Sequence, residues 1–291
     1  MKKQILALFL LFSLFPVIAF ASGHGHHRDV KKGILLVAFG SSLPEAQISF
    51  ENIDKSVKKE FPTIPVQWAF TSSIIRNKLA KQGKKLDSVA MALAKMTDQG
   101  FTHVGVQSLH TIRGEEFDDL LHTAHVFEGL PGGIEKIIIG SPLLSSQKDM
   151  ENVTNAIIEN IPGKRKKSDA VVLMGHGTPH PSNAFYTALM FNLQRKDSNI
   201  FVGTVEGTPE IDDIKIMLRE KNIKKVYLMP FMSVAGDHAR NDMAGAEEDS
   251  WKSILEKEKL ECEIVLKGTA EYKNMIDIWV GHLKEVMTHF K

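Results

Sequence analysis

The chain has 291 residues, 43% of them hydrophobic and 24% charged, with a formal net charge of +1. That length and balance suit one two-lobed globular protein or two small domains. A near-neutral chain has no field to gather nucleic acid, and no RRM, zinc-finger or P-loop pattern is present.

In chain order, the first segment reads as an export signal. Met1-Lys2-Lys3 is a positive n-region, and an apolar stretch over 5–20 contains Pro16. Ala19-Phe20-Ala21 has the small-x-small spacing of a cleavage site, so residues 1–21 are expected to be removed between Ala21 and Ser22. The run is short for a span and contains proline, so no stable membrane anchor is expected. No cysteine follows it, which argues against a lipid anchor. In a two-membrane bacterium the mature protein would be periplasmic. Residues 22–32 carry His24, His26 and His27, a solvated terminus that can also hold cations loosely.

From residue 33 onward, short apolar runs alternate with amphipathic stretches, the pattern of a doubly wound parallel α/β sheet. Strands are predicted at 33–39, 66–70, 103–108 and 136–139, then at 170–174, 200–205, 225–229 and 263–266. Helices are predicted over 45–60, 86–96, 182–195, 211–221, 242–257 and 275–290, and His122 and His125 fall on another. The single cysteine, Cys262, lies at a strand start and reads as a buried structural thiol.

The two halves read as repeats. An offset of 136 places Gly40 on His176 and Phe70 on Glu206, and an offset of 122 places Glu116 on His238. The difference is extra sequence in the first half, a helical excursion over about 72–99. An N-terminal lobe is expected over 33–162 and a C-terminal lobe over 168–291, whose last helix can cross back onto the first. The Pro162-Gly163-Lys164-Arg165-Lys166-Lys167 segment between them reads as a solvated surface linker. Two such lobes place a cleft between them.

Three segments of the second half end an apolar run with a potential metal ligand. They are Gly175-His176-Gly177, Val205-Glu206-Gly207 and Gly236-Asp237-His238. The carboxyl ends of parallel strands face one crevice, where two imidazoles and a carboxylate can hold a divalent first-row metal with open positions. A carboxylate at the end of an apolar strand is costly without a cation, donor or water; Thr208 can cap the following helix, which frees Glu206 for the metal. Asp237 and Asp242 each have two readings, as a helix cap or as the group orienting an imidazole. His180, between prolines, reads as a loop wall. The positions aligned in the first half lack the His-Glu-His set, so that lobe presents Ser41, Ser42, Phe70 and Thr71, and His110 lies past a strand end where it can face the cleft.

Taken together, Leu36-Val37-Ala38-Phe39-Gly40-Ser41-Ser42, Gln107-Ser108-Leu109-His110, Gly114-Glu115-Glu116, Met174-Gly175-His176-Gly177-Thr178, Val205-Glu206-Gly207 and Pro230-Phe231-Met232 with Gly236-Asp237-His238-Ala239 resemble the anaerobic sirohydrochlorin cobaltochelatases, class II tetrapyrrole chelatases. The likeness runs from about residue 32 to the C-terminus. It implies two Rossmann-like lobes and cobalt held by His176, Glu206 and His238. It further implies Co2+ insertion into a sirohydrochlorin-type tetrapyrrole in corrin synthesis, with release of two protons and no nucleotide. His176 and Glu206 are then the catalytic candidates, with His176 suited to accept a pyrrole proton. Ser41, Phe70, His110 and Arg113 are the candidates for contact with the macrocycle. Phe70, Leu109 and Met232 would offer it an apolar wall, and Arg76, Lys78, Arg113 and Arg240 could meet its carboxylates. The export signal departs from the usual cytoplasmic member. A ligand set without thiolate also accepts Fe2+ or Ni2+. Two other readings remain: ferrochelatase-type Fe2+ insertion, and an exported metal or tetrapyrrole (haem) carrier without turnover. A homo-oligomer is compatible with all of them. A serine hydrolase is disfavoured because no Gly-x-Ser-x-Gly elbow surrounds Ser41 or Ser42.

Overall fold

The computed structural model describes residues 28–290. The expected signal segment, its cleavage site and His24, His26 and His27 lie outside the described residues. Among the described residues, no helix is long and apolar enough to cross a membrane.

The first sheet contains β1 (Lys32–Ala38), β2 (Val66–Phe70), β3 (His103–Ser108) and β4 (Lys136–Gly140), in the order β2-β1-β3-β4 and all parallel. The second contains β5 (Ala170–Gly175), β6 (Ile200–Thr204), β7 (Lys225–Pro230) and β8 (Glu261–Ile264), in the equivalent order β6-β5-β7-β8. Between the strands run α1 (Gln47–Glu60), α2 (Ser73–Ala80), α3 (Val89–Asp98), α4 (Glu115–Phe127), α5 (Gln147–Asn160), α6 (Ala184–Lys196), α7 (Ile211–Glu220), α8 (Trp251–Lys257) and α9 (Lys273–Thr288). Helices α2 and α3 fill the first-half excursion, and the hydroxyls of Ser72 and Ser88 cap them by accepting N–H bonds from the first turn.

β1 shows why the centre of each sheet reads as a continuous apolar run. Ile34, Leu36 and Ala38 enter one core; Leu35 and Val37 enter another, on the opposite face against α3 and α4. The first of these cores continues through α1, α5 and α9 into the second sheet, so both lobes share it. Helix α5 packs on α6 of the second lobe, while α9 crosses back onto β3, β4 and α1. Gly105 in β3 makes room for that crossing, because a Cβ there would come within 2.6 Å of the Met287 sulfur.

Several local expectations need correction. The single helix expected over 242–257 is two pieces, a π-helical turn (Ala239–Met243) and α8, whose start is set by the Ser250 cap. The last strand begins two residues earlier than expected and ends at Ile264, placing half-buried Cys262 inside it. Burial pushes that thiol up to about 12, in keeping with an inert structural role.

The repeat register also shifts. Ala38 pairs with Phe70, but its offset-136 counterpart Met174 pairs with Gly203, so Phe70 corresponds to Gly203 and not to Glu206. Ile34 pairs with Gly105, while its counterpart Ala170 pairs with Val226, which moves the third strand by one residue. Topology repeats, whereas the strands of the two halves do not align by a fixed offset.

The linker expected to be solvated is anchored. Arg165 is 4% exposed and donates to the Asp197 carboxylate, 7% exposed, and to the Asp169 carbonyl. Lys167 adds a second cation at 3.0 Å. Burial alone would raise the Asp197 carboxyl, but bonds from Arg165, Lys167 and the Asn199 N–H outweigh it and hold it well below the usual carboxylate range.

Candidate metal centre

His176 follows directly on β5. Gly175 before it leaves no side chain where the Tyr186 ring packs, since a Cβ there would lie 2.4 Å from that ring. Gly177 after it has φ of +81°, and a Cβ would fall within 2.8 Å of the Glu206 and Gly207 backbone. The two glycines therefore let the chain turn and let the next strand end approach. β6 stops at Thr204, and the chain beyond it stays clipped to β5: the Glu206 N–H donates to the His176 carbonyl at 2.8 Å. Glu206 is thus carried beside His176 by main-chain bonds. Neither Glu206 nor Thr208 caps α7; Glu210 does, in a capping box with Asp213.

His238 opens the π-helical turn after β7, a rare geometry that recurs at functional sites. Its Nδ1 is held by the Asp242 carboxylate one turn on, while Asp237 accepts from Asn241. Asp242 therefore orients the imidazole and Asp237 braces the turn. His176 Nδ1 meets the Gly177 carbonyl at 2.9 Å. Both Nδ1 partners are acceptor oxygens, so a neutral ring that donates there has its lone pair on Nε2; the Nδ1 of His176 also stands 3.9 Å from the Glu206 carboxylate.

One ligand atom from each of His176, Glu206 and His238 lies within 4.8 Å of the others. The imidazoles stand edge to face, with centroids 4.8 Å apart. Side-chain exposures of 39%, 56% and 35% leave the group open to solvent, as ligand exchange requires. A soft thiolate is absent from the three, so the donor set suits borderline first-row dications. Beneath, burial raises the Tyr186 phenol to about 12, so it stays a neutral support against the His176 and Gly177 backbone.

The other expected residues divide. Ser41 is buried, accepts the Leu43 N–H at 3.3 Å, and lies against the loop carrying His238, where a Cβ on Gly236 would be 3.7 Å from its hydroxyl. Phe70 does not wall the cleft. It is 9% exposed, stacked on Trp68 at 5.9 Å and edge-on to Phe50, within the core that both lobes share. Leu109 is buried as well. His110 does not offer its ring to the cleft either: Nδ1 is paired with the Ser108 hydroxyl at 2.8 Å and Nε2 is sealed from solvent without a partner. Burial pushes that imidazole down to about 4, keeping it neutral.

Arg113 is exposed and paired with Asp118 at 3.1 Å, and Asp118 also faces His180 of the other lobe at 3.5 Å. The Arg76 guanidinium is spent on the Phe70 and Thr71 carbonyls. Among the described residues, the aromatic ring paired with His176 from the first half is Phe39, at 6.5 Å between centroids. Sequence reasoning passed over Phe39 as one more strand residue, and its signal was the Gly40 that follows it. A groove of about 710 Å³ lies between α5 and α9, and none of His176, Glu206 and His238 lines it.

Comparison with known proteins places these features in a family. The family model "Cobalt chelatase (CbiK)" matches residues 32–288. The chain is 45% identical over 258 residues, 89% of its length and 91% of the relative's, to the sirohydrochlorin cobaltochelatase CbiKC of Nitratidesulfovibrio vulgaris. It is 34% identical, over 89% of its length and 97% of the relative's, to the sirohydrochlorin cobaltochelatase of Salmonella typhimurium. Among solved structures, SirB from Bacillus subtilis with Fe3+ is similar in fold, with a TM-score of 0.61, 15% identity, and coverage of 88% of this chain and 96% of that one. SirB from Bacillus subtilis subspecies spizizenii in complex with cobalt gives a TM-score of 0.59 at 14% identity, over 89% and 97% of the two chains.

Proposed function

The chain belongs to the cobalt chelatase family, and from that premise we propose that it is an enzyme inserting Co2+ into sirohydrochlorin, with His176, Glu206 and His238 as the site of insertion. The carrying observation is the open His-Glu-His group at the strand ends of the second lobe. The dication replaces the two pyrrole N–H protons of the macrocycle, so the balance is one Co2+ taken up and two protons released. Glu206 and the Nε2 atoms of His176 and His238 present the metal with exchangeable positions. Once the metal passes to the macrocycle, the Nε2 lone pair of His176 is free to accept a proton.

Fe2+ and Ni2+ fit the same donor set, and ligand chemistry alone does not rank cobalt first. We further propose that residues 1–21 direct export and that a lobe boundary falls between 162 and 168. N-terminal sequencing of the protein recovered from a periplasmic fraction tests the first, with Ser22 as the expected first residue.

Steady-state turnover of sirohydrochlorin with Co2+, Fe2+ and Ni2+ tests the function. Multiple turnovers with Co2+ are expected. Stoichiometric binding without metallated product would sink the enzyme and favour a carrier. In His176→Ala and His238→Ala, insertion should fall at least about 100-fold; full rates in both would overturn the site.

A further inference from the structure

We infer that Phe39 is the surface on which the macrocycle stacks, and so a specificity-determining residue. The inference rests on the chelatase reading and names a contact that reading leaves open. β1 is buried along almost its whole length, yet the residue that follows it, Phe39, is 44% exposed. A solvent-facing phenyl at the end of a core strand needs a reason, and its main chain is not loose. The Phe39 carbonyl accepts the Ser72 N–H at 3.2 Å, and the Ala38 carbonyl accepts the Thr71 N–H at 2.9 Å. Gly40 then turns at φ of +110°, where a Cβ would crowd Ile75 and Phe70 at 3.2 and 3.3 Å. The scaffold thus fixes where the phenyl stands.

It stands across the cleft from the metal group. The ring centroid is 6.5 Å from that of His176, at a tilt of 47°. That is near the outer limit of aromatic pairing, so an open face remains. A metal bound to Nε2 sits about 2 Å from the imidazole. A flat tetrapyrrole centred on a metal held there would extend its pyrrole rings outward on every side, the Phe39 side included. Phe70 and Leu109, the other apolar candidates of this lobe, are buried and offer no face. Stacking on a π-face tolerates peripheral substituents while demanding a planar partner, which suits a macrocycle whose rim is charged.

The test uses the full-length protein with Phe39→Ala, Phe39→Leu and Phe39→Trp. Sirohydrochlorin binding is followed by its visible absorbance, Co2+ binding by its d–d bands, and turnover by product absorbance. In Phe39→Ala, the Kd and KM for sirohydrochlorin should rise about tenfold, with a smaller change in kcat and no change in Co2+ affinity. Phe39→Trp should stay within about twofold of wild type, and Phe39→Leu should fall between. An unchanged sirohydrochlorin Kd in Phe39→Ala would overturn the inference. So would wild-type behaviour of Phe39→Leu, or a parallel loss of Co2+ affinity, which would mean that Phe39 acts through His176. A wild-type protein that binds sirohydrochlorin without turnover would sink the chelatase reading, while the Kd series would still decide the role of Phe39.

Discussion

Asp242 and the Gly177 carbonyl perform the same task from different elements: each is the hydrogen-bond partner of an Nδ1, which leaves Nε2 as the ring nitrogen without that bond in both histidines. His110 is the contrasting residue. Its Nδ1 meets the Ser108 hydroxyl, its Nε2 is sealed without a partner, and burial keeps the ring neutral down to about pH 4. Between its ordinary value of 6.5 and about 4, the unfolded chain binds a proton there that the folded chain refuses. Stability from this group is therefore complete above pH 6.5 and is lost as the pH falls through that window, by on the order of 3 kcal/mol. Urea denaturation at pH 7 and pH 4.5 should show the loss, and His110→Gln should lose less over the same interval. Equal pH slopes in the two proteins would refute this origin.

At the scale of elements, the site depends on how strand ends are finished. Gly177 has a left-handed backbone, and a side chain there would press on the Glu206 and Gly207 main chain at 2.8 Å. Gly177→Ala is expected to cost more than about 1 kcal/mol, through backbone strain plus displacement of the Glu206 loop. Isothermal titration with Co2+ should show weakened binding even where circular dichroism still reports a folded protein; wild-type affinity would mean that the loop has other freedom to adjust. The π-helical turn shows the same logic. A regular helix was legible over 242–257 from composition alone, but the Asp242 bond to His238 and the Ser250 cap divide it.

Across the whole molecule, the lobes exchange helices, α5 toward the second and α9 toward the first, over a shared core. The proposed lobe boundary is thus a boundary along the chain and not in the packing. Its linker is held by Arg165, whose loss would leave Asp197 buried with only the exposed Lys167 for a cation. Arg165→Met should destabilise by about 3–5 kcal/mol, the usual effect of removing one partner of a buried pair. Thermal denaturation should show it, and a Tm within a degree of wild type would place the anchor elsewhere. Arg165→Met with Asp197→Leu should recover much of the loss, because the penalty comes from the uncompensated charge.

The sequence by itself determined the parallel α/β class, the eight strands, the repeat of topology and the three residues whose potential ligand atoms converge. Strand burial and glycine-flanked strand ends are local properties, written in the order of residues. It did not determine which residues of the first lobe face the cleft. Phe70 and Phe39 are both aromatic strand-end residues, yet one stacks on Trp68 and the other looks toward His176. His110 and Arg165 likewise read as cleft and solvent residues, but the fold seals the Nε2 of one and nearly the whole side chain of the other. Those outcomes depend on what lies opposite each side chain, and only the tertiary structure supplies the opposite side. The strands of the two halves pair in registers that share no common offset, so no pairwise alignment of the repeats could stand in for that packing.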